Sequence, residues 1–116
     1  MIFVTGPLFA GKKEYIRSAL GLSEAEFAVR ARWDLETLAA ETTEDIPLLA
    51  DSLMEWDILI ASETGCGVIP VDPAERAARE RAGRLSVELA RRADTVVRVQ
   101  CGLGQVLKGE LPWNSI

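Results

Sequence analysis

The chain of 116 residues predicts a single α/β domain of three layers, α/β/α, with a small and mostly parallel sheet of three to five strands. Three observations predict it. Residues 1–5 form a short apolar run that leads through a glycine-bounded turn into a segment of helical spacing at residues 12–20. Residues 57–62 form a second buried-strand run, and residues 95–99 a third, with one long helical segment between them. A strand, a helix and a strand in that order make a crossover between parallel strands. Strands covered by helices on both faces read as near-continuous apolar runs, as these do.

The turn after the first strand carries the most specific pattern in the chain. Gly6-Pro7-Leu8-Phe9-Ala10-Gly11-Lys12-Lys13 fits GxxxxGK[ST] at every fixed position except the last. In that pattern the glycines let backbone N–H groups curl around phosphate oxygens, the lysine reaches the outer phosphates, and the final hydroxyl ligates Mg²⁺. A strand before and a helix after, ended by Gly21, are the required context. The fold is therefore expected to be of the P-loop type, with residues 6–13 as the nucleotide-binding loop and Lys12 as its catalytic cation. The alternative is a glycine turn between strand and helix that binds nothing. Lys13 replaces the hydroxyl, and an ammonium has donors but no acceptor, so Mg²⁺ loses its ligand in the loop. The expected small molecule is GTP or ATP. No base-reading NKxD motif separates the two, and no residue is assigned to metal.

The remaining elements follow in chain order. Residues 27–32 suggest a second strand, residues 35–40 a helix, and residues 47–56 a helix with Leu48, Leu49, Leu53 and Trp56 inside, after a polar turn at residues 41–45. The run at 57–62 exits into Glu63. Ligands gather at the carboxyl ends of strands in open parallel sheets, which puts Glu63 on the same edge as the loop. There it holds a metal-bound water, accepts a proton from a hydroxyl nucleophile, or merely caps a turn. Asp72 and Pro73 open the long helix, which runs to about Ala93. Ala78, Ala82, Leu85 and Leu89 are its buried stripe, with Arg76, Arg79, Arg84 and Arg91 away from it. Those arginines form a solvated face, or one or two of them reach toward phosphate. Residues 111–116 are expected to be a loose tail.

Composition bounds the function classes. With 48% hydrophobic and 27% charged residues, the chain has an ordinary globular balance and can bury a core without staples. The net charge of −5 argues against a general nucleic-acid binder. It is unevenly spread, −7 over residues 1–71 and +2 over residues 72–116. The apolar stretches are too short to span a bilayer, and no basic segment leads into an apolar one at the start, so no membrane partner and a cytoplasmic location are expected. Cys66 and Cys101 form no CxxC pair and are read as small buried or half-buried residues. Trp33, Trp56 and Trp113 are read as core or contact residues rather than as a stacking platform for bases. Histidine is absent, which removes an imidazole base, every histidine dyad and any nucleotidyl-histidine intermediate.

Two separated blocks carry a resemblance. Glu63-Thr64-Gly65-Cys66-Gly67-Val68-Ile69-Pro70, followed by Arg76, Arg79, Ala82-Gly83-Arg84, Leu89-Ala90 and Ala93-Asp94, is similar to the adenosylcobinamide kinase/adenosylcobinamide-phosphate guanylyltransferase family of cobalamin biosynthesis. Members carry an E-V-G-x-G-x-V-P turn and a G-R-x-N-x-x-L-A-x-x-A-D helix end in the same order and at the same spacing. The likeness runs from about Ile58 to Val99, with the first strand and loop in the family's position and residues 99–108 following its closing strand. The resemblance implies that Gly6, Gly11 and Lys12 hold phosphate, that Glu63 lies near nucleotide or metal, and that Arg84 is a structural or phosphate-facing arginine. It implies a corrinoid as second ligand and a homo-oligomer, a trimer with nucleotide sites between subunits.

The departures are as specific. The family joins GMP to a histidine between the loop and the E-V-G turn, and this chain has none, which excludes guanylylation by that route here. The family also places an acidic residue on a central strand, and the stretch between Leu20 and Trp56 looks too short to hold both that strand and the histidine helix. Ser86 stands where the helix motif has asparagine. The chain thus reads as one shortened domain, 1–116. Three functions compete: a corrinoid kinase-like phosphotransferase, a nucleotide or corrinoid binder without turnover, and an oligomeric structural module with a vestigial loop.

Overall fold

The computed structural model describes residues 1–63 and 72–111. Within them lie β1 (Ile2–Gly6), α1 (Lys12–Leu20), α2 (Glu24–Arg30), β2 (Ala31–Arg32), α3 (Leu35–Glu41), α4 (Ile46–Leu53), β3 (Ile58–Ser62), α5 (Pro73–Arg92), β4 (Thr95–Gln100) and β5 (Leu103–Lys108). The strands form one five-stranded sheet in the order β2-β3-β1-β4-β5. The first four are mutually parallel, and β5 returns antiparallel to β4. This is the α/β fold of P-loop type that the sequence predicts, with the first strand at the centre.

Alternation along the strands divides the core between two faces. Phe3, Leu59, Ala61 and Val96 point to one side, where Leu35 and Ala39 of α3, Leu49 and Leu53 of α4, and Ala82, Leu85 and Leu89 of α5 cover them. Val4, Ile58, Ile60, Val97 and Val99 point to the other, beneath Ile16 of α1 and Phe27 of α2. Both halves of each strand are therefore apolar. Burying each large aliphatic side chain contributes about 1.5–3 kcal/mol, which is the main term holding the two helical layers onto the sheet.

Charged side chains fasten α5 to its neighbours. Arg81 donates to the carbonyls of Ala39 (2.8 Å) and Glu44 (2.7 Å), and Arg92 pairs with Asp51 of α4 and Glu88 on its own helix. Asp72 caps α5 by accepting from the Ala74 N–H at 2.9 Å, with Pro73 at the start of the helix, as the sequence predicts. No helix among the described residues is long and apolar enough to cross a membrane.

Several expectations are corrected. Residues 27–30 are helical, because Ser23 and Glu26 form a reciprocal capping box that starts α2; only Ala31–Arg32 remain as strand. Leu48 is 55% exposed, on the outer side of α4, and α4 ends at Leu53 rather than reaching Trp56. Leu111 is buried at 3% exposure against the Val97 and Val99 layer, not part of a loose tail. Cys101 is exposed, in the β4–β5 turn with a φ of 54°, because the hairpin spends no core position on it. Cys66, the remaining expected tail at 112–116 with Trp113, and most of the E-V-G-like turn lie outside the described residues.

Candidate functional site

Parallel pairing brings the carboxyl ends of β1, β3 and β4 to one edge, and β1 turns there into the loop. Gly6 has a φ of 152°, and a β-carbon on it would sit 2.1 Å from the Val99 carbonyl oxygen. Only a residue with no side chain lets the chain leave the sheet so close to β4. Phe9 and Gly11 take left-handed φ values of 61° and 81°. Turns of that hand curl a glycine-bounded loop into a concave nest of N–H groups suited to an anion. The Ala10 carbonyl accepts from the Gly102 N–H at 2.9 Å, so the β4–β5 turn braces the loop.

Lys12 opens α1 and folds over the loop, its Nζ donating to the Pro7 carbonyl at 2.7 Å. The side chain is buried, and desolvation lowers its pKa from the ordinary 10.5, opposed by the negative charges of Glu36, Glu63 and Asp34. These three carboxylates arrive by different routes. Asp34 follows β2, Glu36 lies in the first turn of α3, and Glu63 follows β3. Glu36 accepts from the Ser62 N–H at 2.9 Å, which ties α3 to the end of β3. The Glu63 N–H donates to the Gly6 carbonyl at 2.8 Å, and its carboxylate accepts from Arg98 Nε at 2.6 Å and Nη2 at 3.0 Å. Arg98 also donates through Nη1 to Gln100 at 2.7 Å.

A cavity of about 300 Å³ opens between loop and sheet, walled by residues 8–13 of the loop, Glu14, Trp33, Asp34, Ile60 and Ser62. Trp33 stacks on Phe27 with ring centroids 5.7 Å apart and planes 5° from parallel. Lys13 Nζ lies 4.8 Å from the Trp33 ring centroid. At residue 13, where Mg²⁺ takes its loop hydroxyl, the structure therefore presents an ammonium against an aromatic face. Among the described residues no group of three or more His, Cys, Asp or Glu side chains comes together as a metal set. Residue 13 therefore offers the loop's usual metal N–H donors and no ligand atom.

The structure brings together most of the residues singled out in the sequence. Leu8, Phe9, Ala10, Gly11, Lys12 and Lys13 wall the cavity, Pro7 accepts from Lys12 without lining it, Gly6 ends β1 before it, and Glu63 is close enough to act on the Lys12 charge. Arg84 is elsewhere. It is exposed on α5, in a groove shared with Ile46, Pro47 and Val87, and does not line the loop cavity. Sequence reasoning missed Trp33, Asp34, Glu36 and Arg98. The rule that singled out Glu63, a carboxylate at a strand exit, finds Asp34 equally well once β2 is known to end at Arg32.

The match to known proteins covers the scaffold around this site. The family model "Cobinamide kinase / cobinamide phosphate guanyltransferase" matches residues 20–107, three quarters of the chain. The chain belongs to this family. Within the matched span lie Trp33, Asp34, Glu36, Ile60, Ser62, Glu63 and Arg98 of the site, and also the long helix with Arg84 away from it. The span begins at the end of α1, so the loop at 6–13 stands on its own pattern and geometry. No curated protein matches the chain.

Proposed function

We propose that this member of the cobinamide kinase / cobinamide phosphate guanyltransferase family binds the phosphates of GTP or ATP in the 6–13 loop, as a nucleotide-binding protein of cobalamin biosynthesis. The observation that carries the reading is Lys12: a buried ammonium at the start of α1, above a left-handed loop and beside an open cavity. The Pro7 carbonyl is a weak partner that a phosphate oxygen replaces with a charged one. The family's second ligand, cobinamide, would approach the carboxylate side of the cavity.

Of the family's two activities, guanylylation through a histidine is not available to this chain. A kinase step joins the γ-phosphorus to a corrinoid hydroxyl oxygen as its bond to the leaving diphosphate breaks, and the hydroxyl proton passes to a carboxylate. Lys12 would neutralise the transferring phosphate. Asp34, which lines the cavity, would accept the proton, whereas Glu63 is already engaged by Arg98. A second reading, binding without turnover, is favoured by that engagement and by Lys13 in place of the hydroxyl.

The test is calorimetric titration of the protein and of Lys12→Ala with GTP and ATP, followed by assay of phosphate transfer to cobinamide. Binding lost by roughly two orders of magnitude in the variant supports the loop site, since charged hydrogen bonds to phosphate contribute about 1.5–3 kcal/mol each. Phosphorylated cobinamide selects the kinase reading, and its absence despite binding selects the second. Equal binding by the variant would refute the loop as the nucleotide site.

A further inference from the structure

We infer that Lys13 takes the place of the divalent cation in this loop, so that nucleotide phosphates are held by two ammonium groups and need no metal. The inference rests on the nucleotide-binding reading and deepens it. Three observations carry it. Residue 13 follows the phosphate lysine directly, and its side chain lines the same cavity as Lys12. Its ammonium lies 4.8 Å from the Trp33 ring centroid, and the stack on Phe27 fixes that ring in turn. A flexible lysine is thus given one preferred station at the cavity wall, at the low ordering cost of a cation–π contact.

The third observation concerns the carboxylates that would otherwise recruit a metal. Glu63 is engaged by Arg98 and one Glu36 oxygen by the Ser62 N–H, and the carboxylate at the cavity wall is Asp34, with an ammonium rather than a hydroxyl at residue 13 of the same wall. Lys12 already faces the charges of Glu36, Glu63 and Asp34. A polyphosphate entering beside those carboxylates needs a further positive charge. In a P-loop of the usual pattern Mg²⁺ supplies it, and here the charge that the sequence supplies at that place is Lys13. Trp33 is then a positioning residue, acting through Lys13.

The experiment measures ATP and GTP affinity by calorimetry in EDTA and in excess Mg²⁺, for the wild type, Lys13→Thr and Trp33→Leu, with thermal melts to compare folding. Lys13 is exposed, so its replacement leaves the core intact. The wild type should bind within about twofold under both conditions, whereas Lys13→Thr should lose about tenfold in EDTA and recover it with Mg²⁺. Trp33→Leu should weaken binding in EDTA by about threefold, and Trp33→Phe should restore it. Wild-type binding only in Mg²⁺, or Lys13→Thr binding as tightly as the wild type in EDTA, would overturn the inference while leaving the loop as a nucleotide site. Absence of binding by the wild type under both conditions would overturn both readings.

Discussion

The two halves of the sheet edge are built in opposite ways. The loop half is one continuous segment, residues 6–13, whose conformation is set by Gly6, Gly11 and the helix that follows. The carboxylate half is assembled from Asp34, Glu36, Glu63 and Arg98, which meet only because β2, β3 and β4 run parallel to one edge. The first half is local chemistry and the second is topology. Lys12 joins them: it belongs to the loop by sequence and to the carboxylates by charge.

The sharpest way to break the comparison is Gly6→Ala, because that residue is where the local loop meets the long-range sheet. Its β-carbon would lie 2.1 Å from the Val99 carbonyl oxygen, a backbone atom that can yield only by moving β4. The positive φ adds a further penalty for any side chain. Together these should cost about 3 kcal/mol or more, a large share of the 5–15 kcal/mol stability of a domain of ordinary size. Chemical denaturation would measure it. A midpoint within error of the wild type would show that β4 is not packed against the loop as described.

The difference between the halves also explains what was legible in the sequence. The loop, α1, β3, α5 and β4 were readable because glycine spacing and apolar periodicity are properties of contiguous residues. Glu63 was readable because a strand exit is also local. The segment at 24–34 was not, since Phe27, Val29 and Ala31 mimic strand alternation while Ser23 and Glu26 specify a helix cap. That single misreading hid Asp34, and with it the carboxylate half. Arg98 was hidden for another reason: its side chain lies on a strand read as core, and its ion pair with Glu63 joins residues 35 apart. Arg84, singled out by resemblance, sits mid-helix and exposed, where helical phase rather than motif decides direction.

The link between the halves can be sharpened through pH. Burial lowers the Lys12 pKa below 10.5 despite three carboxylates that raise it. Phosphate prefers the charged amine, so nucleotide affinity should begin to fall at a pH below 10.5, earlier than for a solvated lysine. Glu36 is the strongest of the charges that raise it, so neutralising that carboxylate by Glu36→Gln should lower the Lys12 pKa further and move the decline to lower pH. The sign for folding is the reverse of that for binding. Between the lowered value and 10.5 the unfolded chain binds more protons than the folded one, so the Lys12 contribution to stability rises with pH across that window. Titrations from pH 7 to 10 would show it, and a Glu36→Gln profile identical to the wild type would detach Lys12 from the carboxylate half.

The smallest expected effect lies within the carboxylate half itself. Glu63 and Arg98 make a two-pronged ion pair with both side chains partly exposed, 25% and 33%. Solvent screens such a pair, and a double-mutant cycle of Glu63→Gln and Arg98→Gln should return a coupling of about 0.5–1 kcal/mol. The cycle is the right measurement because Arg98 has further partners, among them Gln100, whose loss would be counted with the pair in either single variant. Repeating it with nucleotide bound tests whether the halves act together. If phosphate draws Arg98 toward the loop, Glu63 loses part of its pairing and the coupling falls. An unchanged coupling would mean that the Glu63–Arg98 pair is a fixed strut of the sheet edge, leaving Asp34 as the carboxylate for any chemistry at the loop.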